Sequence, residues 1–403
     1  MLPTLVRRGR SQRPRVCIVR QTDFYEPPLQ RAAEALVGEG FDVEVLCMRD
    51  PRRPRRAVFN DVVVTGLPAS LGKSSKFRYA FDYSWFFLLA AGTLTLRHLR
   101  RPYAVVQVTT MPDFLVYAAA IPKLLGSRVV LYMNEPTPEL FETLYGSERL
   151  KRALESVEQH ALRFADQAIT VTERLKRRYI ERGADPDRIT VVLNGADPGI
   201  RLADWSPPSI RDEKEHFTLI CHGAIEDRYG QETIVRAAAL LRDELPDLRV
   251  IFTGRGSFVP EMLALIDELG VGDIIRFEGW VSRLKLNDFL SSADVGIVAQ
   301  KASPYSHLVH TNKMVDYWIL ALPVIASRLQ AVSDLYDDSE LEYYEPGDPV
   351  DLARAIRRLH DDPERREELI RNGRAAQERN GWAVQRPIFL GVYESLLGTG
   401  GGG

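Results

Sequence analysis

Two successive series of β-like apolar runs, each run followed by a helix-period segment, constrain this chain more than any other feature. Val16-Cys17-Ile18-Val19 reads as a strand, residues 29–38 as a helix with Ala32, Ala33, Leu36 and Val37 apolar, and Val43 to Cys47 as the next strand. Strand, helix and strand in that order, with short connections, predict a parallel sheet covered by helices. The pattern continues with strands at 103–108, 129–133, 168–171 and 189–193 and helices at 115–125 and 150–164. Asn194-Gly195 then signals a turn. Residues 196–214 lose periodicity and carry Pro198, Pro207 and Pro208. A second series follows, with strands at 217–221, 249–252, 274–277, 295–298 and 323–326.

The expected fold class is therefore α/β, with two doubly wound, Rossmann-like domains. A basic tail spans 1–14, an N-terminal domain 15–197, a linker 198–214 and a C-terminal domain 215–380. A helix at 381–397 packs back toward the N-terminal domain, and a glycine-rich flexible tail spans 398–403. Ligands of such sheets bind outside the carboxyl ends of the strands. Two such domains facing across a cleft make a favoured place for a small-molecule site.

The formal net charge of −2 argues against a strongly basic nucleic-acid binder. That balance hides an asymmetry: up to Arg101, basic residues outnumber acidic ones about two to one. Two arginine clusters carry much of it, Arg7 to Arg15 and Arg49 to Arg56. Such clusters form either solvated surface or a patch attracted to an anionic membrane face. Cys17, Cys47 and Cys221 lie in strand-like runs, an odd count without framework spacing, which fits a reducing compartment. The start, through Arg15, has no apolar segment of the signal-peptide kind. The most apolar stretch, Trp85 to Leu96, is shorter than the roughly 20 residues a spanning helix needs. It reads as a buried helix, with an interfacial segment as the alternative. The expected location is cytoplasmic, with peripheral contact at the inner membrane face as the elaboration.

Three segments carry chemistry. In 311–327, Thr311 or Asn312 can cap a helix whose first turn offers free N–H groups to an anion. Lys313 adds a full charge, and Asp316 lies three residues on, near the same face. A diphosphate and a ribose diol need cationic donors beside a carboxylate acceptor, which this spacing supplies; a capped surface helix with a Lys/Asp pair reads the same way. In 223–230, Gly223 and Gly230 bracket a loop after a strand, and Arg228 can grip phosphate oxygens in bidentate fashion or pair with Glu226 or Asp227. In 250–257, a strand runs into Gly254-Arg255-Gly256, with no third glycine to complete a dinucleotide fingerprint.

Gly254-Arg255-Gly256, Arg276 to Val281, Ser292 to Ile297 and Lys313…Asp316-Tyr317…Pro323 to Ser327 resemble, in order and spacing, the carboxy-terminal domain of the family-4 retaining glycosyltransferases of the GT-B fold. Residues 191–197 are similar to that family's Asn-Gly-x-Asp segment before the linker. The resemblance covers most of the chain and is most specific in its second half. It implies that Arg228 and Lys313 hold a donor diphosphate, that Asp316 holds the donor ribose, and that backbone near Trp280 and Val281 meets the base. Gly223, Gly254, Arg255, Gly256, Thr311 and Asn312 would line the rest of the nucleotide pocket. A nucleotide sugar is then the co-substrate, with no other cofactor and no metal. The acceptor, a glycan or a lipid-linked molecule, would fall to the N-terminal domain, near Asp23, Tyr25, the segment 73–85, Asn134 and Glu135.

Three positions depart from the family pattern. The family's two glutamates become Leu308 and the shorter Asp316, with His307 and His310 nearby. The arginine usual after the first glycine is Ala224, so Arg228 must carry that charge. Asn134-Glu135 stands where many relatives have a histidine. These departures keep two alternatives in view: a catalytically inactive nucleotide-sugar-binding partner subunit, and a different GT-B enzyme such as a nucleotide-sugar 2-epimerase.

Overall fold

The computed structural model describes residues 13–22, 24, 27–51, 53–69, 76–195 and 215–398. The chain forms two compact units, residues 1–193 with 385–403 and residues 194–384. The basic tail through residue 12, the linker at 198–214 and the glycine tail from 399 lie outside the described residues.

Unit 1 contains β1 (Arg15–Arg20), α1 (Pro27–Gly38), β2 (Asp42–Met48), β3 (Arg56–Phe59), β4 (Val62–Leu67), α2 (Lys76–Arg100), β5 (Val105–Thr109), α3 (Ala120–Leu124), β6 (Arg128–Met133), α4 (Thr137–Tyr145), α5 (Glu148–Phe164), β7 (Gln167–Thr170), α6 (Glu173–Glu181) and β8 (Ile189–Val191). The eight strands lie in the order β3-β4-β2-β1-β5-β6-β7-β8. All pairs are parallel except β3 with β4. Helix starts follow their caps: Ser147 accepts the Leu150 N–H and Thr172 the Leu175 N–H.

Unit 2 contains β9 (Phe217–Ala224), α7 (Gln231–Leu241), β10 (Leu248–Arg255), α8 (Val259–Glu268), β11 (Ile275–Phe277), α9 (Arg283–Ser292), β12 (Val295–Val298), α10 (Lys313–Ile319), β13 (Val324–Ser327), α11 (Gln330–Ser333), β14 (Glu342–Tyr344), α12 (Pro349–Asp361) and α13 (Pro363–Asn380). Its six strands are parallel, in the order β11-β10-β9-β12-β13-β14. The order reverses between β9 and β12, so the crevice beyond their carboxyl ends is where a ligand has room. The last helix, α14 (Trp382–Leu397), passes into unit 1. There its Tyr393 hydroxyl donates to Gln107, and Gln385 accepts the Leu193 N–H at 2.9 Å.

Several details differ from the sequence reading. The helix expected at 115–125 begins as a 3-10 turn, Asp113–Ala119, and becomes α-helical only in α3. The β3–β4 hairpin was not anticipated; Asn60 and Asp61, both at positive φ, make its turn. The apolar stretch 85–96 is not a buried helix. It is the middle of the 25-residue α2, which buries Phe86, Ala90 and Leu94 and leaves a second apolar face in solvent. No helix among the described residues is long and apolar enough to cross a membrane. The three cysteines are free and buried, as their strand positions implied.

Candidate nucleotide-binding site

The site is built on a glycine floor at the carboxyl ends of β9 and β10. The strands pair with Gly254 opposite Gly223 and Arg255 opposite Ala224. A Cβ on Gly254, at φ 137°, would lie 1.7 Å from the Gly223 carbonyl oxygen, and one on Gly256 equally close to that of Ile225. Only glycine lets these backbones approach so far. The Gly254 N–H donates to the Gly279 carbonyl at 2.7 Å, which ties the loop bearing Trp280 and Val281 to the same floor. Arg255 and Trp280 are both exposed.

Two cations gather above this floor. Lys313, the first residue of α10, lies across Gly223, its Cε 3.0 Å from where a Cβ would be. Arg228 belongs to the 3-10 turn Asp227–Tyr229 that follows β9. The Tyr229 ring centroid is 4.7 Å from Arg228 Cζ and 4.8 Å from Lys313 Nζ, so one ring serves both. The turn is held from outside: the Lys301 N–H donates to the Arg228 carbonyl at 3.0 Å, and Lys301 Nζ lies 2.6 Å from Asp227 and 3.2 Å from Glu232. Burial lowers the Lys313 pKa, and the nearby Arg228 charge lowers it further. An anion of two or more charges placed between these cations relieves both penalties.

Asp316, one turn along α10, is buried with its Oδ2 3.9 Å from His222 Nε2. Burial, assisted by the Lys313 charge, pushes the His222 pKa down to about 3. The imidazole is therefore neutral at physiological pH, and the approach to Asp316 is not an ion pair. Among the described residues His222 Nε2 is buried and meets no hydrogen-bond partner, which leaves a polar atom for a ligand. The His222 ring stands edge-on to Tyr317 at 5.1 Å. Tyr317 in turn donates to the carbonyls of Ile220 (3.1 Å) and Ile297 (3.3 Å), pinning α10 to β9 and β12. Gly296 makes room for that ring, since a Cβ there would meet it at 2.4 Å. Arg283, at the start of α9, feels the Asp316 charge.

Of the residues singled out in the sequence, Gly223, Gly254, Gly256, Arg228, Lys313 and Asp316 converge here. Of the two cap candidates Thr311 is the one that acts, its hydroxyl accepting the Lys313 N–H at 3.3 Å; Asn312 makes no side-chain cap, and α10 has only seven residues. The dipole of so short a helix is small, so the two side-chain cations carry the charge. His307 Nδ1 accepts the Gln330 N–H at 3.3 Å. His310 is buried, and burial pushes its pKa down to about 4. Leu308 is buried. In unit 1, Asn134 and Glu135 follow β6 and are half-buried. Asp23, Tyr25 and the start of the segment 73–85 lie outside the described residues. Sequence reasoning missed His222, Tyr229 and Arg283. His222 was legible as the last residue before a strand-end glycine, a position that faces ligands in doubly wound sheets. Among the described residues no group of three or more His, Cys, Asp or Glu could hold a metal ion.

Two α/β sheets, the first parallel but for its β3 edge and the second wholly parallel and ending in a glycine floor under paired cations, point to the GT-B class. The chain has that fold: it superposes on sucrose-phosphate synthase from Thermosynechococcus elongatus with a TM-score of 0.76 at 18% identity, over 96% of this chain and 100% of that one. It also superposes on Anabaena HepE in complex with UDP-glucose, with a TM-score of 0.72 at 16% identity, over 94% and 99%. Residues 26–195 match the model of the glycosyl transferase 4-like domain, and residues 216–362 that of the glycosyl transferases group 1. The chain belongs to the family-4, group 1 glycosyltransferases. A curated relative is the D-inositol 3-phosphate glycosyltransferase of Thermomonospora curvata, 28% identical over 255 residues, 58% of each chain. The chain thus matches less than two thirds of the length of that relative.

Proposed function

We propose that the chain is a retaining glycosyltransferase. It moves a sugar from a nucleoside-diphosphate sugar to a glycan or lipid-linked acceptor, in the synthesis of a cell-surface polysaccharide or glycolipid. The observation that carries this reading is the pairing of Arg228 and Lys313 on one Tyr229 ring above Gly223. The donor diphosphate lies between the guanidinium and the ammonium. Asp316 accepts from the ribose hydroxyls. Neutral His222 offers a hydrogen bond without adding charge.

As the bond from the sugar to the diphosphate breaks, negative charge grows on the leaving oxygen. Arg228 and Lys313 are already in place to meet it, the kind of stabilisation whose loss costs ~3 kcal/mol per donor. The acceptor hydroxyl attacks from the face the diphosphate leaves. Its proton passes to a phosphate oxygen, so no protein nucleophile is required. HepE, crystallised with UDP-glucose, supports a UDP-sugar as the first donor to test. The acceptor-side positions are Asn134 and Glu135 of unit 1, with Asp23 and Tyr25.

The test has two parts. A thermal-shift screen with UDP-, GDP-, ADP- and dTDP-sugars identifies the donor, because a ligand of the native state raises the melting temperature. Turnover is then followed with acceptor extracts, where Arg228→Ala should slow release of nucleoside diphosphate by roughly 100-fold or more. Leu308, which is buried, and the exposed Ala224 favour one second reading, an inactive nucleotide-sugar-binding subunit. Donor binding without transfer to any acceptor, alone or with cell extract, establishes that reading instead.

A further inference from the structure

Arg228 holds its place from a weak platform. It sits in the 3-10 turn Asp227–Tyr229, between β9 and α7. A guanidinium on a long flexible side chain counts for little unless its backbone is fixed, because ordering it on binding consumes affinity. What fixes this turn comes from elsewhere in unit 2: the connection that runs from the end of β12 at Val298 to the start of α10 at Lys313.

Gly230, at φ 68°, closes the turn against the Ala299 carbonyl, where a Cβ would lie 1.8 Å from the oxygen. The Lys301 N–H donates to the Arg228 carbonyl at 3.0 Å. Lys301 Nζ then spans the turn, 2.6 Å from Asp227 before Arg228 and 3.2 Å from Glu232 beyond it. Glu232 is itself held by Arg236 at 3.0 Å. The connection is stiffened behind Lys301. Buried Ser306 donates to the Lys301 carbonyl at 2.7 Å and accepts the Ser303 N–H at 2.8 Å, while Ser303 Oγ accepts the Ser306 N–H at 3.1 Å. Tyr305, buried in the same stretch, is close enough to bear on the Arg228 charge.

We propose that Lys301 is a positioning residue of the donor site, and that the β12–α10 connection is one brace setting both cations. Near one end it holds the Arg228 turn through Lys301, and its other end is Lys313. Asp227 and Glu232 take up the Lys301 charge, so Lys301 acts through Arg228 and not on the ligand. A guanidinium aligned in advance meets the diphosphate without first being ordered, which is how Arg228 serves from so short a turn. The proposal rests on the reading of Arg228 and Lys313 as the diphosphate grip.

Titration calorimetry of the full chain with UDP, GDP, ADP and dTDP finds the nucleoside diphosphate bound most tightly, and that one is the probe. Lys301→Met keeps the N–H and the stem but removes the ammonium. It should weaken probe binding by about 3- to 10-fold, the cost of ordering one long side chain, while Lys301→Arg should stay within ~2-fold of the wild type. Lys301 is half-buried and its partners are partly exposed, so the ligand-free melting temperature should move by less than about 4 °C. In Arg228→Ala nothing is left to position, and adding Lys301→Met should cost less than ~2-fold. Asp227→Ala separates the brace from charge acting at a distance. Losing a carboxylate beside an anion site raises affinity by charge alone, whereas losing a contact of the brace lowers it. Should Lys301→Met fail to fold, Asp227→Ala carries the same cycle with Arg228→Ala. Wild-type affinity in Lys301→Met, beside a loss in Arg228→Ala, removes the brace and leaves the diphosphate grip standing. An equal loss with and without Arg228 also overturns the brace, as does a gain with Asp227→Ala. Wild-type affinity in Arg228→Ala, or binding of none of the four diphosphates, overturns the grip and the brace together.

Discussion

Replacing Gly223 with alanine separates the strength of the glycine floor from the placing of the ammonium above it. Gly223 has φ 98°, where an L-residue costs about 1–2 kcal/mol. The new Cβ would meet Lys313 Cε at 3.0 Å and Nζ at 3.6 Å. The lysine chain is flexible and swings aside, so crowding adds little to that strain. At roughly 2–4 °C per kcal/mol for a domain of this size, the melting temperature should fall by about 2–8 °C. The displaced ammonium loses its hold on the diphosphate. A hydrogen bond to a charged group is worth about 1.5–3 kcal/mol, so nucleotide-sugar affinity should fall by roughly 10- to 150-fold. Lys313→Ala should lose the same affinity without the thermal penalty. Scanning fluorimetry reads the first quantity and titration calorimetry with the stabilising nucleotide sugar the second. If Gly223→Ala loses stability but binds donor like the wild type, Lys313 does not hold the diphosphate and the site assignment is wrong.

Gly254→Ala differs because its clash is with a backbone oxygen, at 1.7 Å, that cannot yield; it should cost at least about 3 kcal/mol in denaturant unfolding. Burial pushes the Asp113 carboxyl up to about 7, so the folded state binds its proton more tightly than the unfolded chain. Stability from that group is present below about pH 4 and lost as pH rises through 7, so Asp113→Asn, which can keep the Thr137 bond, should raise the unfolding midpoint at pH 8 but not at pH 4. His310 has the opposite sign, since its folded pKa of about 4 lies below its ordinary 6.5. Its contribution is present above 6.5 and lost as pH falls toward 4, so His310→Gln should flatten the acid limb of unfolding curves over that window.

The strands and most helices were legible because apolar period survives wherever an element has one buried side. β1 and β12 announce themselves as short β-branched runs, and both are buried throughout or nearly so. The β3–β4 hairpin escaped because β3 alternates exposed and half-buried residues and opens on an arginine, which hid it within a charged cluster. α2 was misread for the opposite reason: apolar residues on every side suggest burial, and sequence cannot say which apolar face lacks a neighbour. In the site, Arg228, Lys313 and Asp316 stood out through charge beside glycine and a helix start. His222 and Tyr229 did not, because their importance comes from β9 and α10 being brought together across more than 80 residues of chain.

The substitution at Ala224 tests whether position or charge is what the family pattern preserves. Relatives are expected to place an arginine directly after the first glycine; here that residue is alanine, and the next arginine along the chain is Arg228, four residues on. Ala224 is not idle, since its carbonyl accepts from Gln231 Nε2 at 3.0 Å and its backbone pairs with Arg255 in β10. Neither contact uses the side chain, and the residue is exposed, so an arginine should be accepted there. If Arg228 has taken over the missing charge, Ala224→Arg should restore donor affinity to an Arg228→Ala protein to within about 10-fold of the wild type. Added to the wild type, the same change should gain little, because a third cation beside Lys313 and Arg228 repels both. Calorimetry on the four proteins closes the cycle. An Ala224→Arg/Arg228→Ala protein that binds no better than Arg228→Ala would mean that Arg228 does something an arginine at 224 cannot. The shared Tyr229 ring would then be the reason to examine first, through Tyr229→Leu.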